Sequence, residues 1–329
     1  MRLRWLLLTA LVLLLVVPAG ALSWARLTAP GGGTWVRLVA FTPLATLLYG
    51  AAALLLVGAR WRARGAGRGL AKAGLVVCLL GVLVHGWLAS APYRGSDRAE
   101  ADAGHDLRVM TANLELGQAD AATVVEAAVA HGVDVLVLTE VTPAEVGRLD
   151  AAGLRTAYRH RAGAAQAAAR GTMVVSTFPL TGVQRLPTAF GTWSVDVHAP
   201  GGPVHLVAVH ARPPVGDASD WEADQGVVRH AAVAATGPTL LVGDFNATLD
   251  HQPLRELTAR GYTDATVEAR SGWQPTWPSA GRVRVLGVPV PSLLPLDHVL
   301  TSTHLHARAT MSLTIAGTDH RALVAIVAR

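Results

Sequence analysis

The sequence is short of cysteine, of charge and, over its C-terminal two thirds, of lysine. One cysteine, Cys78, stands in 329 residues, which excludes a disulfide framework, a cysteine-based zinc site and a C-x-x-C redox centre. Charged residues make up 16% against 51% hydrophobic ones, and the mean hydropathy is positive. That balance excludes a disordered chain and departs from ordinary soluble proteins. The sequence has no H-E-x-x-H and no G-x-S-x-G, and a P-loop would need a lysine that residues 105–329 do not have. Zinc-protease, α/β-hydrolase and P-loop chemistries therefore have no carrier.

What is present divides sharply. Residues 1–104 hold 11 Lys/Arg against 3 Asp/Glu, whereas residues 105–329 hold 17 arginines against 20 acids, giving net charges of +8 and −3. The N-terminal third also contains three apolar runs, Trp5–Leu22, Leu38–Ala59 and Ala73–Ala91. A helix of about 20 residues matches a hydrocarbon core of roughly 30 Å, so the expectation is a membrane domain, 1–91, of three transmembrane helices in contact with lipid. Arg60, Arg62, Arg64, Arg68 and Lys72 lie between the second and third runs, and only Arg26 lies in the Ser23–Trp35 loop. The positive-inside rule then places the N-terminus in the cytoplasm and everything after Ala91 outside it. The Ala19-Gly20-Ala21 step leaves open that the first run is a cleaved signal peptide. Within the third run His85 is expected to reach a neighbouring helix or the interface. Residues 92–106 lose apolar periodicity and read as a linker.

Residues 107–329 alternate between β-rich runs and helical patterns. Strands are predicted at Arg108–Ala112, Val133–Thr139, Thr172–Ser176, Trp193–Val197, Val204–Val209, Thr239–Val242, Val299–Ser302 and Ala322–Val327. Helices are predicted at Ala121–Ala130, capped by Asp120 and stopped near Gly132, at Pro143–Ala151 and at Ser219–Ala235. The class is α/β or α+β.

Polar side chains interrupt these runs at their ends. Four runs finish on one, at Asn113, Glu140, His210 and Asp244-Phe245-Asn246; two begin on one, at Asp297 and at Asp319-His320. For all of them to meet, the last two strands must run antiparallel to the first four, which requires a mixed sheet and excludes a doubly wound parallel fold. Side-chain alternation separates Asp319 from His320, so His320 needs another carboxylate, and Asp297 on a neighbouring strand is the candidate.

In this order, Asn113, Glu140 in Leu-Thr-Glu, His210, Gly243-Asp244-Phe245-Asn246-Ala247, Asp297 and Thr318-Asp319-His320 resemble the motifs of the endonuclease/exonuclease/phosphatase superfamily. That superfamily includes pancreatic-type deoxyribonucleases, abasic-site endonucleases, inositol-polyphosphate phosphatases and bacterial sphingomyelinases. The resemblance implies a four-layer α/β sandwich of two mixed sheets flanked by helices, here preceded by three transmembrane helices. It also implies hydrolysis of phosphate esters with a divalent cation, usually magnesium, with manganese as the alternative. Such a cation prefers oxygen ligands, typically one or two carboxylates with water and substrate phosphate. Glu140 is the expected anchoring ligand, with Asn113 beside it and Asp319 as a third candidate. Asp244 is expected to orient or deprotonate water, Asn246 to donate to a phosphate oxygen, and His320, held by Asp297, to be the charged or proton-transferring partner. His210 resembles a position where the deoxyribonuclease and sphingomyelinase branches carry a histidine that protonates the leaving oxygen. Arg170 and Arg212 are candidate phosphate contacts.

Blander readings stay open beside these. Asn113 could serve a turn, Asp244-Phe245-Asn246 an Asx-turn, and Trp273, Trp277 and Pro278 a structural corner instead of a cleft. His298 reads as structural, and His304 with His306 has no third ligand at zinc spacing. The arginine common after the Val174-Val175 strand in nucleases is replaced by Thr177, and the tyrosine motif of abasic-site endonucleases has only Tyr158 as a candidate. These departures bear on the DNA branch.

The resulting expectation is a multi-pass, magnesium-dependent phosphoester hydrolase of the cell membrane, its enzyme domain outside the cytoplasm, acting on lipid-linked or other surface phosphates. The alternatives are an anchored extracellular nuclease and a non-catalytic binding or sensor module. Nucleic acid is the less favoured substrate because a duplex grip needs a basic face. The sequence points to no protein partner.

Overall fold

The computed structural model describes residues 2–62, 65–95, 106–279 and 281–329. It divides into two compact units, one of Met1–Ala91 with Asp250–Gln252 and one of the remaining residues.

The first unit contains helices α1 (Arg2–Thr28), α2 (Gly33–Val39), α3 (Leu44–Arg62) and α4 (Ala66–Ala89). Trp5–Thr28 and Gly67–Ala89 are long and apolar enough to cross a membrane. The run expected to form a span at 38–59 is not one straight helix, because α2 and α3 meet at 73°. Pro43 sits at the break, and a proline has a fixed φ and no N–H with which to continue the ladder. The turn is closed by Leu44 N–H donating to Phe41 O at 2.9 Å and by Thr42 Oγ1 donating to Val39 O at 2.7 Å. Small side chains (Ala19, Ala45, Ala52, Cys78) face inward while Leu6, Leu14, Leu47, Leu54 and Leu83 are each at least 66% exposed. That inverts the soluble pattern and suits helices whose close approach is set by small residues in lipid. A Cβ on Gly81 would come within 2.5 Å of the Tyr49 ring. His85 reaches α1, its Nε2 lying 2.8 Å from Ser23 Oγ.

The second unit opens at the one-turn helix α5 (Ala91–Arg94). Of the expected linker, residues 96–105 lie outside the described residues, and the Pro92 carbonyl accepts from Gly272 N–H at 3.0 Å. There follow β1 (Leu107–Asn113), α6 (Ala121–Ala130), β2 (Val135–Thr139), α7 (Pro143–Ala151), α8 (Leu154–Ala157), β3 (His160–Ala164), β4 (Thr172–Ser176), β5 (Leu180–Leu186), β6 (Thr192–Ala199) and β7 (Gly202–His210). The chain continues through α9 (Ser219–Ala234), β8 (Thr239–Asp244), α10 (Gln252–Ala259), β9 (Thr263–Asp264) and α11 (Ala265–Glu268). A hairpin of β10 (Arg284–Val285) and β11 (Val288–Pro289) precedes β12 (Asp297–Thr301), β13 (His306–Thr314) and β14 (Arg321–Ala328). Asp120 caps α6 by accepting from Thr123 N–H at 2.8 Å, and Thr142 caps α7, which has Pro143 in its first turn.

Two six-stranded mixed sheets result, in the orders β13-β14-β1-β2-β4-β3 and β5-β6-β7-β8-β12-β9. Period-two alternation divides each central strand between two cores. On β2, Val135 and Val137 join Leu206, Leu240, Val242 and Val299 between the sheets. Leu136 and Leu138 point the other way, against Val124, Leu149 and Tyr158 under the helices. Both faces are buried, which is why these strands read as continuous apolar runs.

Register carries the polar ends together. β1 and β2 are parallel with Asn113 opposite Thr139, so Glu140 follows directly beside Asn113. β7 and β8 are parallel with His210 opposite Asp244, and antiparallel β12 sets Asp297 opposite Asp244. β14 runs antiparallel to β1, bringing the segment before Arg321 to the Asn113 end.

Candidate active site

Asn113, Glu140, His210, Asp244, Asn246, Asp297, Asp319 and His320 gather at that common end. Asn113 Nδ2 lies 3.2 Å from Glu140 Oε1 and 3.0 Å from Asp244 Oδ2, so one amide bridges carboxylates from the two sheets. Glu140 Oε2 accepts from Leu116 N–H at 2.8 Å. Glu140 (φ 57°) and Asn246 (φ 46°) both occupy left-handed backbone, which is costly for glutamate and tolerated by asparagine. Asp244 Oδ1 accepts Asn246 N–H at 2.8 Å, closing the Asx-turn read in the sequence; the same turn leaves Asp244 facing Asn113. Asn246 Nδ2 donates to Ala211 O at 2.9 Å.

His320 Nδ1 meets Asp297 Oδ2 at 2.8 Å, and its Nε2 lies 3.8 Å from Asp244 Oδ2. Asp297 stands on β12 of the facing sheet, not on a strand neighbouring β14 as the sequence reading had it. Alternation established the need for a second carboxylate, but sheet membership depends on long-range packing. Thr276 Oγ1 accepts the N–H groups of Leu296 and Asp297 at 3.0 and 3.1 Å, and Thr318 Oγ1 donates to Asn113 O at 2.8 Å. Trp277 Nε1 donates to Asp319 Oδ2 at 3.0 Å. Trp221 and Gln225 of α9 donate to the carbonyls of Asn246 and Phe245. Thr276, Thr318, Trp221 and Gln225 were not singled out from sequence, since a hydroxyl, an amide or an indole serving a distant loop leaves no local pattern.

Burial sets the electrostatics. It alone would lower the imidazole of His320, but the carboxylates of Asp297 and Asp244 overcome it and push the pKa up to about 10. Burial first, and the Asp297 charge second, raise Asp244 to about 7. Glu140 is raised by burial despite the hydrogen bond from Asn113. His210 is fully buried under Phe190, with ring centroids 4.8 Å apart, and neither ring nitrogen has a hydrogen-bond partner. Burial and the charge on His320 lower it to about 3, so His210 is neutral at physiological pH in the free protein. Its Nε2 lies 3.9 Å from Glu140 Oε1, beyond hydrogen-bond reach, so the proton-donor role implied for it by resemblance needs a closer anion to restore its basicity.

Among the described residues, the other candidates are not hydrogen-bonded to this cluster. The Arg212 guanidinium is engaged by Asp220, and Arg170 is exposed on the loop before β4, at the Glu140 end of the sheet. Tyr158 is a core residue whose hydroxyl donates to Val133 O at 3.0 Å, which removes it as a site tyrosine. His298 sits between Asp264 Oδ2, 2.8 Å, and Ala247 O, 2.9 Å, a structural pairing. His306 pairs with Glu268 at 3.2 Å.

The donor set fits a divalent cation. Glu140, Asp244, Asp297 and Asp319 face one imidazolium, and among the described residues no lysine or arginine side chain is bonded to any of them. Asp297 Oδ1 is buried without a partner. Asp244, Asp297 and His320 offer ligand atoms within 4.8 Å of one another, a group able to hold a metal. Using that trio would require His320 to give up its proton, whereas Glu140 and Asp319 offer the oxygen donors a hard cation prefers; Asn113 turns its Nδ2 to the carboxylates and its Oδ1 to Glu115 N–H, so its oxygen would reach a cation only once the amide turns over.

A profile of the endonuclease/exonuclease/phosphatase family matches residues 110–320. The chain belongs to that family. Its members are generally metal-dependent phosphoesterases and nucleases. An endonuclease/exonuclease/phosphatase from Beutenbergia cavernae superposes with a TM-score of 0.50 at 21% identity, covering 68% of this chain and 72% of that one. D. rerio TDP2, solved with a single-strand DNA product, gives a TM-score of 0.58 at 13% identity over 69% of this chain and 100% of that one. A functionally unknown protein from Enterococcus faecalis gives 0.52 at 17% identity over 68% and 99%. These likenesses show the fold. No curated protein matches the sequence.

Proposed function

We propose that this family member is a membrane-anchored, divalent-metal-dependent phosphoester hydrolase acting outside the cytoplasm on lipid-linked or other membrane-surface phosphates. The observation that carries the reading is the carboxylate cluster around Asn113, joined to a charged His320 that Asp297 holds in place. Glu140 and Asp319 would hold the cation, with Asn113 joining them once its amide turns its oxygen inward, magnesium by its preference for oxygen, and the bound ion would neutralise charge developing on the phosphoryl group. Asp244, raised toward neutrality, accepts the proton of a water as its oxygen adds to phosphorus. The ester P–O bond to the leaving oxygen breaks. His320 stabilises the negative oxygens, and the Asn246 amide donates to a phosphate oxygen.

Net charge of −3 and the absence of lysine in residues 105–329 support a small single-phosphate substrate over a duplex. The apolar N-terminal helices favour substrates in the same membrane through effective concentration. The single-strand DNA product bound to D. rerio TDP2 supports a second reading, an anchored nuclease. The test compares kcat/KM of the full-length protein on a polyprenyl or phospholipid phosphate in detergent with that on plasmid and single-stranded DNA at physiological salt. Preference for the lipid phosphate is expected. Cleavage of DNA with no release from any lipid phosphate overturns the lipid assignment and makes the protein an anchored nuclease.

A further inference from the structure

The β10–β11 hairpin lies between Trp277 and Asp297 in sequence and displays its apolar side chains outward. Leu286 is 99% exposed, Val285 60% and Val288 65%. Its ladder consists of Arg284 opposite Pro289 and Val285 opposite Val288, extended by Val290 N–H donating to Val283 O at 2.8 Å. Leu286 (φ 50°) and Gly287 (φ 80°) form the two-residue tip, with both in left-handed backbone. A turn of that kind ordinarily takes Asn or Asp at its first position. A leucine there is a strained choice that adds apolar surface at the most exposed point. A two-stranded ribbon by itself is marginal in water, and the tip side chains find no cover in the domain.

The base of the hairpin is tied to the site. Arg282 pairs with Glu115, whose N–H donates to Asn113 Oδ1 at 2.9 Å; the next residue, Leu116, donates to Glu140 and is itself 46% exposed. Below the tip, among the described residues, one uncompensated arginine stands beside the Arg282–Glu115 pair: Arg284, which is exposed and donates to Gly287 O at 2.9 Å. An aliphatic tip over the exposed Arg284 matches a lipid surface, where apolar groups enter the acyl boundary and a guanidinium stays with phosphate headgroups. The same chain carries helices apolar enough to cross a bilayer, so the ligand that fits the tip is one the protein already meets.

We propose that the β10–β11 hairpin dips Val285, Leu286 and Val288 into the lipid surface, holding the mouth of the site against the membrane. The insertion is independent of which phosphate is hydrolysed.

The experiment uses the full-length chain with Cys78→Ala in proteoliposomes of phosphatidylcholine and phosphatidylglycerol. An environment-sensitive nitrobenzoxadiazole label is placed at Leu286→Cys, at Val288→Cys, and at Val233→Cys on exposed α9 as reference. Both hairpin labels are expected to shift to the blue and to lose most of their emission to nitroxide-labelled acyl chains, while the label at 233 stays accessible to iodide. Unchanged melting of the labelled proteins relative to Cys78→Ala shows that the fold is kept. Iodide quenching without nitroxide quenching at both hairpin positions overturns the proposal. Self-quenching that grows with protein density, without a nitroxide effect, overturns it in favour of a second copy of the chain. No turnover enters the readout, so its failure and the failure of the hydrolase reading are separable.

Discussion

His320 and Asp297 come from different sheets and meet at 2.8 Å, with Asp244 on the far side of the ring. The pair therefore reports whether the two sheets are correctly apposed as well as whether the imidazole is charged. Replacing Asp297 with Asn removes the first of the charges that hold His320 at about 10. If the protonated ring is the working form, activity persists to alkaline pH in the parent, and in Asp297→Asn the alkaline limb moves toward lower pH. His320→Ala, Asp244→Asn and Glu140→Gln are each expected to lower metal-dependent turnover by about 10²–10⁴ with circular dichroism unchanged. Retained turnover in any two of these three folded variants would contradict the site assignment.

Divalent metal should stabilise the protein as well as activate it. The carboxylates around Asn113 repel one another when ionised, and burial already raises Glu140 and Asp244. A ligand that binds only the folded state at one hundred times its Kd adds about 2.7 kcal/mol. Thermal unfolding in detergent is expected to move upward on adding magnesium or manganese and back on chelation, and Glu140→Gln should lose most of the shift. An equal shift in Glu140→Gln would place the cation elsewhere.

A second buried pair gives a pH signature away from the chemistry. His298 has an acceptor at each ring nitrogen, and although burial lowers its pKa, the hydrogen bond and charge of Asp264 raise it above 6.5. A raised folded pKa contributes stability that is fully present below about 6.5 and is lost as pH rises through the folded value. Asp264 also caps α11 through Thr266 and Val267. Asp264→Ala should cost about 3–5 kcal/mol, the range for breaking a buried ion pair, and should flatten this alkaline loss. An unaltered pH dependence of melting in the variant would show that His298 is neutral in the parent.

Much of this was legible because the central strands are buried on both faces. β1, β2, β4, β7, β8, β12 and β14 announce themselves as apolar runs, and their polar ends stand out against them. The strands not read from sequence in the two large sheets, β3, β5, β9 and β13, are their four edges, and the two-residue strands β10 and β11 were not read either. β5 shows the reason: five of its seven residues are exposed in succession, so no apolar alternation exists to be read. Tyr158 and His210 show a different limit. Both types of side chain suit catalysis, and only burial with partners separates a core hydroxyl on Val133 O from an unpartnered ring at the site. The bend after α2 was signalled by Pro43, but hydropathy alone read through it.

That bend decides how the sidedness prediction is made. If α2 and α3 together cross once, the basic loop region, with Arg60 and Arg62 at the end of α3 and Arg68 and Lys72 at the start of α4, lies opposite the Arg26 loop, and α4 carries the hydrolase domain away from the basic side. If they instead dip and return, the basic loop and the Arg26 loop share a side, and the domain lies on the other. The basic loop is the stronger determinant, since short-loop Lys and Arg set orientation. With that loop cytoplasmic, the two arrangements differ in where they leave the N-terminus, which is cytoplasmic for a crossing and external for a dip. The apolar part of α3, residues 44–59, is about 24 Å long, so a crossing draws on α2 to complete the span, and the two pass as apolar enough only together. Alkaline phosphatase fused after Arg329 is expected to be active and a fluorescent protein fused there to be dark, with Arg2 reachable only from the cytoplasm. The opposite fusion result would place the domain inside and turn attention to soluble inositol phosphates and nucleotides as substrates. An external domain with an externally reachable Arg2 would instead make α2–α3 a re-entrant pair.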